Sequence, residues 1–309
     1  MRIHTMSLTN EQKEKRRKGI GSTELIAIAG KSKWASPLDI YFLKMGVTEP
    51  TDISDVPAVY WGTTLEAVVA NEYAKRTGKT LEETDETFVH KEYPFIVSHI
   101  DRKIVGENAV LECKTATLHN AHKWGPEGSE IVPSEYWLQV AHQACVLDLD
   151  YVDIAVLIGG QDFRTYRYRR NLKLEEKIIE ICKRFWLDHV EKGVPPSPQS
   201  TSDILKLFPR PTNEEAKIID EESRYTIDKL KEIREKIKNL QEEEEKHKTQ
   251  ICSKIADSFS IMDTDGKTIL ATYREIVSNR LDTLLMKAES PDIYKKYSKE
   301  TTTRTLRIR

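Results

Sequence analysis

With 309 residues, 39% of them apolar, the chain is long enough for one large domain or two smaller ones around a sizeable buried core. Charged residues make up 32%, yet 48 Lys and Arg nearly cancel 50 Asp and Glu, so net charge makes no case for nucleic-acid binding and any basic surface must be local. No apolar run approaches a membrane span, and Met1-Arg2-Ile3-His4 opens no signal peptide. The four scattered cysteines (Cys113, Cys145, Cys182, Cys252) form no C-x-x-C pair, which argues against a disulfide framework and against zinc or iron–sulfur sites. A soluble cytoplasmic protein without membrane contact is expected.

Residues 1–18 are polar and end in the basic run Lys13 to Lys18. A Gly-rich turn, Gly19-Ile20-Gly21, then leads into a small-residue helix that closes on Gly30. Ser22 or Thr23 can cap this helix, and its N-terminus, with Arg16 or Arg17 close by, is either an anion site or a plainly capped helix behind a solvated basic leader. Ser36-Pro37 starts a second short helix that ends at Gly46. A loop runs to about Val59, and Gly62 to Gly78 is expected as a third helix with an apolar face of Leu65, Val68, Val69, Ala70 and Tyr73. Glu66 is expected on its first turn, where the helix dipole favours a carboxylate.

Val97 to Thr115 reads as two short strands joined at Gly106-Glu107-Asn108. Along Val110 to Lys114, alternation puts Glu112 and Lys114 on one face and Leu111 and Cys113 on the other, and the hairpin brings Asp101 to the same edge. By itself this D…E-x-K set is either an exposed ion pair or the minimal outfit for metal-assisted phosphodiester hydrolysis, with carboxylates as hard oxygen ligands and an ammonium to help deprotonate water or neutralise phosphate.

The connection Leu118 to Val132 is long enough to serve as a mobile flap. Pro133-Ser134 then starts a helix with Tyr136, Gln139 and Gln143 on a polar face and Trp137, Val140, Ala141 and Ala144 on a core face. Tyr151 to Ile158 and Phe163 to Tyr168 read as paired strands, and Leu174 to Val190 as an amphipathic helix. The order of elements makes residues 1–195 one α/β domain with a mixed sheet flanked by helices. Pro195-Pro196-Ser197-Pro198 marks a boundary, 196–212 a linker, and 213–309 an extension. In that extension we expect a long charged helix over Asn213 to Asp257 with coiled-coil or helical-hairpin spacing. A hairpin around Asp263-Thr264-Asp265-Gly266 and a basic strand-like tail over Thr301 to Arg309 complete it.

Taken in order, these pieces resemble the YqaJ/lambda-type exonuclease family of phage recombinases, within the PD-(D/E)XK nuclease superfamily. The resemblance covers residues 13–193. It rests on Arg17, Gly19, Ile20, Gly21 and Ser22; on Ser36 to Tyr41 and Trp61 to Ala67; on Ser98 and Asp101; on Leu111 to Thr115; and on Ile131 to Val140. It departs from the family in Gly21-Ser22-Thr23-Glu24, where relatives often carry Gly-Gly-Ser-Asp, and in lacking a proline before Asp101. The resemblance implies a PD-(D/E)XK core with a C-terminal helical and hairpin extension. Asp101, Glu112, the Cys113 carbonyl and Glu66 would bind Mg²⁺, with Mn²⁺ as the alternative, and two ions would flank the scissile phosphate. Lys114 would activate water or stabilise charge, Gln139 would sit near the water with Tyr136 beside it, and Arg17 with Ser22 or Thr23 would hold a 5′-phosphate.

The implied activity is 5′-to-3′ exonuclease action on double-stranded DNA ends, leaving 3′ overhangs for a single-strand annealing protein in phage-type recombination. A ring-shaped homo-oligomer, a trimer, in a bacterial host cell goes with it. The rival readings are a PD-(D/E)XK endonuclease or 3′-directed exonuclease, and a non-catalytic DNA-end binding or assembly module.

Overall fold

The computed structural model describes residues 17–211, 216–299 and 303–308. They divide into two compact units between Asp203 and Ile204. The first unit opens with α1 (Ser22–Ile28), α2 (Pro37–Lys44) and α3 (Pro57–Thr77). In α2 the Ser36 hydroxyl accepts the Asp39 N–H while the Asp39 carboxylate accepts that of Ser36, and Pro37 fills the first helical position, so the expected start is met. Helix α3 starts at Pro57 and not at Gly62, because proline presets the helical φ where no N–H partner is needed; Gly78, at φ +70°, ends it. Glu66 therefore stands in mid-helix and not on the first turn, beyond the reach of the helix-end dipole. The buried face is Val69, Ala70 and Tyr73, whereas Val68 is exposed.

Five strands form the central sheet: β1 (Leu81–Glu83), β4 (Arg102–Ile104), β5 (Ala109–Ala116), β6 (Tyr151–Ile158) and β7 (Asp162–Arg169), in the spatial order β1-β4-β5-β6-β7. Only β5 and β6 run parallel, with Glu112 opposite Ile154, so the sheet is mixed, as expected. A parallel pair needs a long crossover, and α4 (Ser134–Leu147) supplies it. Strands β2 (Phe88–Val89) and β3 (Val97–Ser98) make a separate small sheet. Hence the hairpin is shorter than expected: Val97 and Ser98 belong elsewhere, and β4 pairs with β5 from Arg102 onward.

One apolar cluster lies between α3 and the sheet, where Val69, Ala70 and Tyr73 pack on Ile104, Leu111, Cys113, Ala155 and Phe163. The Tyr73 hydroxyl donates to Asp153 Oδ2 at 2.5 Å, and Arg167 donates to both oxygens of that carboxylate at 2.7 and 2.8 Å. The connection after β5 is not a free flap. It holds a short 3₁₀ helix (Leu118–Lys123), and Arg164 Nη1 on β7 donates to the carbonyls of Trp124 and Gly125, both at 3.0 Å. Helix α5 (Leu172–Phe185) and a π-helical turn (Trp186–Val190) follow. The unit extends past the Pro-rich stretch because the Ser36 hydroxyl also donates to Asp203 at 2.8 Å, within α6 (Thr201–Leu207).

In the second unit, α7 (Glu221–Ile255) is a single helix of 35 residues capped by Asp220, and it leaves Ile233, Ile237 and Leu240 exposed. A hairpin of β8 (Ser260–Met262) and β9 (Ile269–Thr272) encloses the expected turn. The short helices α8 (Thr283–Glu289) and α9 (Pro291–Tyr297) follow. The expected tail strand is not formed over 303–308, where Arg304 donates instead to the Phe208 carbonyl at 2.8 Å; Thr301, Thr302 and Arg309 lie outside the described residues. Among the described residues no helix is long and apolar enough to cross a membrane.

Leu111 is fully buried, so Leu111→Ala should cost about 2–5 kcal/mol, and Tyr73→Phe, which leaves Asp153 its two Arg167 bonds, about 1 kcal/mol. The urea midpoint of the full chain measures both.

Candidate active site

Alternation along β5 decides the site. Leu111 and Cys113 turn toward α3 and the core, while Glu112 and Lys114 turn toward α4. Glu112 is only 2% exposed, so its carboxylate needs donors. Lys114 Nζ and Gln139 Nε2 each donate to Oε1 at 2.5 Å, and Gln143 Nε2 donates to Oε2 at 2.6 Å. One turn of α4 separates the two glutamines, so a single helix face meets both carboxylate oxygens. The Tyr136 ring, centred 5.0 Å from Lys114 Nζ, lies under the ammonium, and Trp124 stacks on that ring at 5.5 Å.

Asp101 immediately precedes β4, and its Oδ2 accepts the Cys113 N–H at 2.7 Å, which fixes its aim by main chain alone. Glu66 reaches in from α3 and pairs with Arg102 at 2.7 Å. Together Glu66, Asp101, Cys113, Lys114 and Tyr136 help line a cleft of about 270 Å³, walled by Ala58, Val59, Gly62 and Thr63.

The cleft gathers more negative charge than it neutralises. Burial first, then the neighbouring charges of Glu112 and Glu66, push Asp101 up to about 8. Burial works against the Lys114 charge, but Glu112 and Asp101 outweigh it, and its pKa is raised, so the ammonium persists. Crowded hard-oxygen donors suit a divalent cation of the Mg²⁺ type. Each carboxylate is meanwhile engaged by protein donors, and among the described residues no three His, Cys, Asp or Glu side chains converge as a preassembled metal cage.

The structure thus brings together Asp101, Glu112, Cys113, Lys114, Tyr136, Gln139 and Glu66. Arg17, Ser22 and Thr23 stand on another element, at the start of α1. There Gly21, and not Ser22 or Thr23, is the N-cap: its N–H donates to Glu24 Oε2 at 2.8 Å, and that carboxylate is paired with the buried Lys44 at 2.6 Å. The helix start expected as an anion site is therefore partly occupied by the chain's own acid. Ser22 is buried, its hydroxyl 3.2 Å from His142 Nδ1, whereas Thr23 is exposed; Arg17 pairs with Glu49.

Sequence reasoning missed Arg102 and Lys44, and it set Trp124 in a flap near the site and not against Tyr136. It put Gln143 in a glutamine row beside the carboxylate strand, to orient water or a phosphate oxygen and not Glu112 itself. The i, i+4 spacing of Gln139 and Gln143 was a usable signal, but nothing in the sequence ties Arg102 to Glu66.

The sequence model of the YqaJ-like viral recombinase domain matches residues 11–150. Protein YqaJ of Bacillus subtilis strain 168, itself described as uncharacterized, is 34% identical over 293 residues, which span 93% of this chain and 89% of that one. The chain belongs to the YqaJ family. Among solved structures, an alkaline exonuclease from Laribacter hongkongensis is similar with a TM-score of 0.48, 15% identity, and coverage of 60% of this chain and 94% of that one. A phage-related exonuclease from Haemophilus somnus 129PT gives 0.43, 13%, 57% and 96%. Neither likeness is close enough to carry an activity across.

The cleft has a pH signature. A folded pKa near 8 against an ordinary value of 3.8 means that the folded state keeps a proton which the unfolded chain releases, so stability falls as pH rises between those values. Without divalent cations, the urea midpoint should drop from pH 5 to pH 8. Asp101→Asn should flatten that slope, and millimolar Mg²⁺ should restore the midpoint of the native chain but not of the variant.

Proposed function

We propose that this protein is a Mg²⁺-dependent 5′-to-3′ exonuclease acting on double-stranded DNA ends and leaving 3′ single-stranded overhangs for a partner annealing protein. The observation that carries the reading is the convergence of Lys114, Gln139 and Gln143 on the buried Glu112 carboxylate, beside an Asp101 held by the Cys113 main chain. A solvated ion pair would not be held by three donors. Family membership supports the recombination setting.

Asp101, Glu112 and the Cys113 carbonyl would hold the ion, with Glu66 at the margin of the set. When bound, the ion supplies positive charge that polarises the scissile phosphate and acidifies a water beside it. Lys114, kept protonated by its acidic neighbours, neutralises phosphate charge and fixes the orientation of the attacking water through its N–H groups. Gln139 and Gln143 hold Glu112 in one rotamer, so the carboxylate needs no reorganisation during the reaction. Tyr136 keeps the ammonium over the cleft.

For end recognition, Thr23 and Arg17 would take the terminal 5′-phosphate. Ser22, turned inward onto His142, would anchor α1 beneath them. The nearly balanced charge suits a protein that concentrates its basic residues at one DNA-contacting surface, as a ring-shaped homo-oligomer, a trimer, does in its channel. A cytoplasmic setting in a bacterial host goes with this reading.

End-labelled linear duplex with Mg²⁺ tests it. The 5′ label should be released first, and 5′-phosphorylated ends should be digested several-fold faster than 5′-hydroxyl ends. Asp101→Ala and Lys114→Ala should each lower the rate by about 10²-fold or more with an unchanged circular-dichroism spectrum. Prior loss of the 3′ label would reverse the polarity, and native-like digestion by either variant would remove the assignment.

A further inference from the structure

Helix α7 has no role in the reading above, and of its 35 residues only Ile255 is buried. A helix about 50 Å long that holds itself by exposed ion pairs, such as Lys229 with Glu232 and Lys248 with Glu244, both at 2.8 Å, is marginal alone. Ile255 is also the only apolar side chain buried in the second unit among the described residues, so that unit offers the helix no core to pack on. Along the middle of α7, Leu230, Ile233, Ile237 and Leu240 follow one another at steps of three, four and three residues, which aligns them as one seam. Ile233, Ile237 and Leu240 are 50, 48 and 64% exposed.

We propose that this seam is the contact surface for α7 of a second copy of the chain, packed antiparallel. The inference is independent of the nuclease reading. Three arguments carry it. First, the seam is its own complement. From either end it reads Leu, Ile, Ile, Leu with the same steps, so a two-fold axis near Glu235 sets Leu230 against Leu240 of the second copy and Ile233 against its Ile237. Four apolar layers then close, with no polar residue among them.

Second, charge decides the direction. Glu242–Glu245 follow the seam directly, whereas Lys229, Lys231, Arg234, Lys236 and Lys238 accompany it. Parallel copies would lay the two acidic runs side by side. They would also set Glu244, which continues the seam four residues past Leu240, against itself between the helices. Antiparallel copies hold the runs about 25 Å apart and bring Lys229, on the edge just before Leu230, opposite Glu243, its equivalent two heptads on. Against this stand one Arg234 pair and one Lys236 pair astride the axis, both on exposed edges where water and salt screen them.

Third, the other occupants fit less well. The chain cannot close the seam as a helical hairpin, because α7 runs unbroken over its 35 residues. Nucleic acid would meet four glutamates at the end of the seam.

Light scattering on the full chain, at tens of micromolar protein, tests the pairing. Ile237→Glu should halve the native mass, whether or not copies also join in a ring, and Ile237→Leu should keep it. A native mass of one chain, or of three, would mean that another protein covers the seam and would overturn the proposal, as would an Ile237→Glu mass equal to the native one. Cross-linking tests the direction and decides the matter should Ile237→Glu fail to fold. In a Cys252→Ser background, differently tagged Leu230→Cys and Leu240→Cys chains made together should form a disulfide with each other, and neither with its own kind. Self-cross-linking of either would make the helices parallel and overturn the antiparallel pairing; no cross-link at all would overturn the contact.

Discussion

Burial of the Glu112 carboxylate is the constraint on which the first unit depends. A charge at 2% exposure is costly unless nearly every lone pair is met, and here three side-chain donors meet it. Those donors come from two elements that must be in register with each other. Lys114 is two residues along the same strand, while the glutamines come from the crossover helix that joins β5 to its parallel neighbour. Strand register, crossover length and helix rotation are thereby tied to one carboxylate. A one-residue slip of β5 would turn Glu112 into the apolar layer beneath α3.

Around this anchor the cleft is left electrostatically incomplete. Asp101 is held by a backbone N–H that favours its charged form, but burial and two neighbouring acids outweigh that bond and raise its pKa. Such opposition, concentrated in one concave region, is characteristic of sites that await a charged ligand. The start of α1 shows the contrary design: Glu24 and Lys44 settle its charges internally and leave Thr23 outward.

The mixed sheet, the Glu112/Lys114 face and the glutamine row were legible because each follows from a local period: two for a strand, nearly four for a helix. The Ser36-Pro37 start was legible because capping chemistry is local. Helix α3 starts upstream of Gly62 because Pro57 supplies a stronger start signal than a glycine does. The supposed flap is held to β7 by Arg164, and Glu66 is claimed by Arg102; both ties join residues more than thirty positions apart, and no local pattern encodes them. The tail's alternation suggested a strand, but alternation needs a pairing edge, and over 303–308 none is taken.

Cys113 sits between Glu112 and Lys114, yet its side chain belongs to the packing beneath α3. Burial, and then the surrounding acids, push its thiol pKa up, so thiolate is suppressed where it would otherwise be a nucleophile. What the position gives the site is main chain, which every residue except proline possesses. Another small apolar side chain could fill the same place and keep that hydrogen bond, and the cysteine present here gives oxidants little purchase on the heart of the molecule.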